Sequence, residues 1–158
     1  MTARSSSLLI RPVEEADRHA VLDLCRRMLE ESPYAFLPCD DDKLARCFDA
    51  YLADRENRCG LAAVDEGVVI GVLAGYLSEY LFCRERIACD QIVYVVPGRR
   101  GTAAAARLVR AFQQWAATRG ARELALGVSG SLEPERVGRL YQRLGLRFAG
   151  GLYKQRLC

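Results

Sequence analysis

Residues 99 to 109, RRGTAAAARLV, set two arginines and a glycine directly against four alanines. A strand-like run, IVYVVP, ends at Pro97 just before them, and a helical period begins just after. The first backbone N–H groups of a helix have no intrahelical acceptor, and the positive end of the helix dipole lies with them. Arg99, Arg100, Gly101 and Thr102 would therefore frame an anion site. Ala103, Ala104 and Ala105 are small enough to let a phosphate lie close to the backbone. The same residues also fit a plainer arrangement, because alanine is the strongest helix former and the arginines can form a solvated turn.

Other chemistries find less support. The single histidine, His19, has no partner histidine, and the seven cysteines (Cys25, Cys39, Cys47, Cys59, Cys83, Cys89 and Cys158) show no CxxC spacing. Tetrahedral metal sites want clustered ligands, so no metal is expected. A cysteine nucleophile would need a basic partner, and none is in view. Scattered cysteines in odd number also argue for reduced thiols and a cytoplasmic setting. The start of the chain carries no pattern of a secretory leader, and no apolar run approaches the ~20 residues of a membrane span.

Charge excludes little more. The 23 basic and 20 acidic residues leave a net charge of +3, too small to announce a nucleic-acid partner. The arginines at 99, 100, 107 and 110 do cluster, but aromatic residues are not interleaved with them on one face. At 158 residues the chain is about one domain long, and residues 1–158 are expected to form a single domain. The composition leaves room for a homodimer.

The elements that must position these residues follow from hydrophobic period. Ser7 to Val13 is a first strand; Val21, Leu22, Cys25, Met28 and Leu29 then repeat at helical spacing. SPYAFLPCDDD is a loop, with Asp41 or Asp42 capping a second helix, KLARCFDAYLADR. Three extended runs follow, CGLAAVD, GVVIGVLAGYLSEYLF and RIACDQIVYVVP, the first two joined by a tight turn at Glu66 and Gly67. From about Thr102 a third helix buries Ala105, Leu108, Val109, Phe112, Trp115 and Ala116, and stops near Gly120. RELALGVS is a strand, EPERVGRLYQRLGLRF a helix capped at Gly145, and LRFAGGLYKQRL one or two closing strands. The expected fold is α/β (α+β), a mixed and mostly antiparallel twisted sheet of six to seven strands flanked by about four helices. A helix between IVYVVP and LALGVS makes those two strands parallel through a right-handed crossover.

Taken together, IVYVVPGRRGTAAAARLV, LALGVS and RLYQRLGLRFAG resemble the Gcn5-related N-acetyltransferase (GNAT) superfamily. The resemblance spans nearly the whole chain in element order, with its specific motifs between residues 90 and 150. The family's pyrophosphate turn, Gln/Arg-x-x-Gly-x-Gly/Ala, maps onto Arg100 to Ala105, with Ala103 where the family usually has glycine. YQRLGLRF resembles its Tyr-x-x-x-Gly-Phe signature, with Leu146 replacing phenylalanine.

The resemblance implies acetyl-CoA as acyl donor and an amine, on a small molecule or a protein, as acceptor. It implies a pantetheine arm along YVVP, pairing with backbone near Val95 and Val96, whose side chains by pattern belong to a buried strand. It places Tyr141 as the acid toward the CoA sulfur, although by spacing alone Tyr141 is equally a core aromatic. Asp90 falls near a glutamate that some members carry as a base, and by itself also reads as a strand start; Glu79, Glu85 or a water chain are the alternatives. The loop carrying Glu30, Glu31, Tyr34, Phe36 and Asp40 to Asp42 would suit an ammonium group. The expected function is direct acetyl transfer to a primary amine, the rival being a catalytically silent acyl-CoA sensor.

Overall fold

The computed structural model describes residues 7–128, 130–131 and 133–157. Ser129 and Cys158, both within stretches considered above, lie outside them, as do the residues before Ser7. Strand β1 (Leu9–Pro12) is followed by a three-residue 3-10 turn and helix α1 (Arg18–Glu31), then helix α2 (Asp41–Ala53). Strands β2 (Arg58–Asp65), β3 (Val68–Glu79) and β4 (Arg86–Val95) form a meander. Helix α3 (Ala104–Thr118), strand β5 (Glu123–Ala125) and helix α4 (Pro134–Arg143) complete the elements.

The sheet runs β1-β2-β3-β4-β5. All neighbours are antiparallel except β4 and β5, which the α3 crossover makes parallel, as expected. The β2–β3 turn has Glu66 and Gly67 at φ 51° and 79°, both left-handed, which is the backbone a two-residue hairpin needs. Gly120 and Gly145, at φ 72° and 91°, end α3 and α4 where the sequence places their stops.

Two apolar layers clamp the sheet. Phe112, Leu108 and Val109 of α3 are wholly buried against Leu73 of β3 and Ala88 and Val95 of β4. On the other face Val21 and Leu24 of α1 and Phe48 of α2 pack on Ala62, Val72 and Tyr94. Burying each large side chain contributes roughly 1.5–3 kcal/mol, so these layers hold the crossover firmly.

Three expectations need correction. The sheet has five strands rather than six to seven: residues 146–157 form none, and Phe148, Leu152, Tyr153 and Leu157 are exposed. This tail is instead drawn over the α1–α2 loop, with Lys154 Nζ donating to Tyr34 Oη at 3.1 Å and the Arg156 guanidinium 3.7 Å from the Phe36 ring centroid. The cap of α2 is Asp40, not Asp41 or Asp42; its carboxylate accepts from the Lys43 amide at 2.9 Å, while Asp41 is held by Arg26 at 2.7 Å. Helix α3 starts at Ala104, after Thr102 has turned its hydroxyl back to the Arg99 carbonyl at 2.7 Å.

Candidate active site

Strands β4 and β5 pair only over Ile87–Cys89 and Glu123–Ala125, then part. β4 therefore runs from Asp90 to Val95 with an edge that β5 does not cover. At the same point β4 carries a bulge. Ala74 faces Ile92 and Gly75 faces Asp90 across β3, so Gln91 is the extra residue. Bulges re-aim side chains next to reactive sites. Here Gln91 takes a hydrogen bond from Tyr51 Oη of α2 at 2.8 Å, and Ile92 packs with the α1–α2 layer.

Asp90 lies at the fork itself, where the Gly127 amide donates to its Oδ1 at 3.0 Å. Burial pushes the Asp90 carboxyl above its usual range, against the opposing pull of that amide. Tyr141 projects from α4 with only 7% of its surface exposed. Burial, and after it the charge of Asp90, raise the Tyr141 phenol, so it stays protonated. Tyr141 belongs to the α3-side core and also lines the cleft.

The cleft between the parted strands has a volume of about 460 Å³. Its walls include Asp90, Tyr141, Val95, Arg99, Arg100, Gly101, Thr102 and Ala105. The fold thus brings the turn before α3 and the two titratable candidates into one space. Ala103 is instead the N-cap residue, without a side-chain cap, and Ala104 is fully buried under the turn. Val96 leaves the strand with its amide donating to the Ile70 carbonyl at 3.0 Å. Glu79 ends β3 and Glu85 precedes β4; neither lines the cleft.

The two arginines are not loose cations. Arg99 pairs with Asp65 at 2.5 Å. Arg100 donates through Nε to the Val95 carbonyl at 2.9 Å, through Nη2 to Glu31 at 2.5 Å, and lies 5.3 Å from the Tyr94 ring centroid. Burial alone would raise Glu31, but hydrogen bonds from Tyr94 and Arg100 bring it below its ordinary value. Glu31, which the sequence offers to an ammonium group, is already matched.

Gly101, at φ 83°, turns the chain into α3, and a Cβ there would come within 3.3 Å of Arg136. Arg136 and Arg143 of α4 line the same cleft, and neither is singled out by the sequence motifs. Their signal was the basic stripe at 136, 139 and 143 along one helix. Gln91 and Gly127 were missed for another reason: their roles depend on register and on the fork, which no local pattern encodes.

A family model described as Acetyltransferase (GNAT) family matches residues 21–146. The chain belongs to the GNAT acetyltransferase family. No curated protein sequence matches it significantly. Among solved structures, this GNAT domain is similar to aminoglycoside N-acetyltransferase AAC(6')-Iy in complex with a CoA-linked bisubstrate analogue, at TM-score 0.76 and 20% identity over 97% of this chain and 100% of that one. It is similar to glucosamine-6-phosphate N-acetyltransferase from Arabidopsis thaliana, at TM-score 0.74 and 13% identity over 96% and 99% of the two chains. It is also similar to a ribosomal-protein-alanine N-acetyltransferase from Brucella melitensis biovar Abortus, at TM-score 0.72 and 20% identity over 96% and 99%. At such identities the likeness is one of fold.

Other features of the GNAT domain bear on its chemistry. Burial raises Cys25 to about 11, and raises Cys89, next to Asp90, as well. Thiols so held are poor nucleophiles at neutral pH. Among the described residues no helix is long and apolar enough to cross a membrane, and no group of three or more His, Cys, Asp or Glu gathers as metal ligands would.

Proposed function

We propose that this GNAT domain transfers an acetyl group from acetyl-CoA to a primary amine by direct attack in a ternary complex. The observation that carries the reading is the single cleft in which the α3 turn, the free β4 edge, Asp90 and Tyr141 meet. The chain has what a CoA diphosphate needs: a left-handed glycine at 101, first-turn α3 amides without intrahelical acceptors, and Arg136 beside the turn. Gly101 to Ala105 would hold the diphosphate, with Arg99 and Arg100 flanking it. The Val95 backbone at the free edge would pair with the pantetheine amides, as in addition of a short strand, while the Val96 N–H is already given to Ile70 of β3. Acetyl-CoA supplies an activated thioester when bound there.

The residues then divide the proton work. Asp90, its carboxyl raised by burial, accepts a proton from the acceptor ammonium, directly or through water. The amine nitrogen forms a C–N bond to the thioester carbonyl carbon as the C–S bond breaks. A backbone N–H near Val95 stabilises the developing negative charge on oxygen. Tyr141 gives its phenol proton to the departing thiolate and is reprotonated from water. The ammonium nitrogen loses two protons in all, one to Asp90 before attack and one to water as the amide forms; sulfur gains one through Tyr141, so each turnover releases one proton to solvent.

The test is chromatographic detection of CoA and acetylated amine after incubation with acetyl-CoA and a panel of primary amines. Chromatography avoids thiol reagents, which the protein's own cysteines would consume. Product formation supports the reading; tight CoA binding without acetyl transfer to any amine replaces it with the sensor.

A further inference from the structure

A second cavity adjoins the cleft on the opposite face of the sheet, between α1, α2 and the β4 bulge. Its volume is about 210 Å³, and Met28, Tyr34, Gln91 and Ile92 line both spaces. No charged side chain among the described residues lines it; the walls are those of Val21, Leu22, Leu44, Phe48, Val72 and their apolar neighbours. A closed apolar cavity of about 150 Å³ admits benzene, so this one is large enough for a phenyl ring or a branched alkyl chain.

Three of the acids at the α1–α2 loop are already engaged within the protein. Glu31 is matched by Arg100 and Tyr94, Asp40 caps α2, and Asp41 is held by Arg26. At the junction of the two spaces the polar side chains are Tyr34, whose Oη takes a hydrogen bond from Lys154 Nζ at 3.1 Å, and Gln91, whose Oε1 accepts from Tyr51 Oη at 2.8 Å. Burial pushes Tyr51 up to about 12, so it stays a neutral donor, and the Gln91 carbonyl keeps a second lone pair for an incoming N–H. Helix α3 and Tyr141 pack on the other face of the sheet, the side from which a donor would enter. The group that fills the cavity therefore comes with the acceptor.

We infer that the α1–α2 cavity binds the apolar body of the acceptor, which is an arylalkyl or branched alkyl primary amine whose nitrogen sits beside Gln91. The inference rests on the transfer reading above and specifies its acceptor. It is tested with 2-phenylethylamine and spermidine as acceptors, together with calorimetric binding of 2-phenylethylamine to the CoA complex. The cavity is filled in Cys47→Phe and, more mildly, in Cys47→Leu, with folding checked by circular dichroism.

The expected result is a kcat/KM for 2-phenylethylamine at least tenfold above that for spermidine. The cavity-filling variants lower it by tenfold or more, with CoA affinity within twofold of the parent. A preference for spermidine overturns the inference. So does a variant that instead changes the rate of hexanoyl-CoA relative to acetyl-CoA, which assigns the cavity to the donor. If no amine is acetylated, but 2-phenylethylamine binds and the filled variants lose it, the transfer reading fails and the cavity assignment stands. Absence of that binding in the parent protein overturns the assignment whatever the variants do.

Discussion

Gly127 donates its backbone N–H to Asp90 Oδ1 at 3.0 Å, across the point where β4 and β5 part. This one bond fixes an acid at the fork and spans the two strands at the throat of the cleft. Burial holds the Asp90 carboxyl above its ordinary 3.8, so its ionisation works against the fold. The stability it contributes is present below the unfolded carboxylate range and is lost as pH rises through its folded value. Asp90→Asn keeps an oxygen for Gly127, so its melting temperature relative to the parent is expected to be higher at pH 7 than at pH 4. Turnover is expected to fall by about 10²-fold, as loss of a general base would give. Calorimetric melting and steady-state rates across pH check both; a stability change without a rate change makes Asp90 purely structural.

Arg100 is shared between the α3 turn and Glu31. Glu31→Gln removes the charge that competes with a diphosphate for the guanidinium, and a partly exposed pair is worth roughly 0.2–1 kcal/mol. CoA affinity is expected to rise by up to about fivefold in calorimetry, with the effect fading at high salt. The double replacement Arg100→Glu with Gly101→Glu should do the reverse and leave the fold intact. Unchanged affinity in the double variant would remove the diphosphate from this turn.

Gly75 lies opposite Asp90 on β3, where a Cβ would come within 2.4 Å of Phe112 Cζ and 2.9 Å of the Cys89 carbonyl oxygen. Phe112 is fully buried, so it has little room to yield. Gly75→Ala is expected to cost about 1–3 kcal/mol in denaturant unfolding, by overpacking. Phe112→Leu in the same chain should recover part of the loss, because it removes the ring atoms that clash.

Asp17 is 5% exposed and takes two hydrogen bonds from Arg11, at 2.6 and 2.9 Å, which tie β1 to the start of α1. The Arg11 hydrogen bond is the main reason the Asp17 carboxyl lies below its ordinary 3.8. Its contribution is present above the unfolded value and lost as pH falls through the folded one. Asp17→Ala is expected to cost about 3 kcal/mol at pH 7, since Arg11 would lose its carboxylate partner and the Glu14 amide its acceptor. The gap in melting temperature between parent and variant should narrow below pH 4.

Much of this architecture could be read from residue types. The helical period of α3, the left-handed stops at Gly120 and Gly145, and the Glu66-Gly67 turn are local signals, and local signals were legible. So was the turn at Arg100 and Gly101, because a helix start exposes its amides whatever surrounds it. The tail from 146 onward was misread, since alternating apolar residues resemble a strand whether or not an edge is available to pair with them. Arg100 was legible as a cation but not as a partner of Glu31, 69 residues away in sequence. The β4 bulge at Gln91 and the cavity beside it arise from register between strands and from the spacing of α1 and α2, neither of which a single segment encodes.

The measurement closest to the central claim is the rate of CoA release from acetyl-CoA in parent protein and Tyr141→Phe, with 2-phenylethylamine as acceptor and CoA affinity measured alongside. Loss of a general acid is expected to lower kcat by about 10²-fold or more while CoA affinity stays within twofold. The phenol lies buried beside Asp90 and stays protonated, so the parent rate should not depend on ionisation of Tyr141 up to pH 9. Equal rates in parent and Tyr141→Phe, or no CoA release by either protein with any amine, would contradict the account.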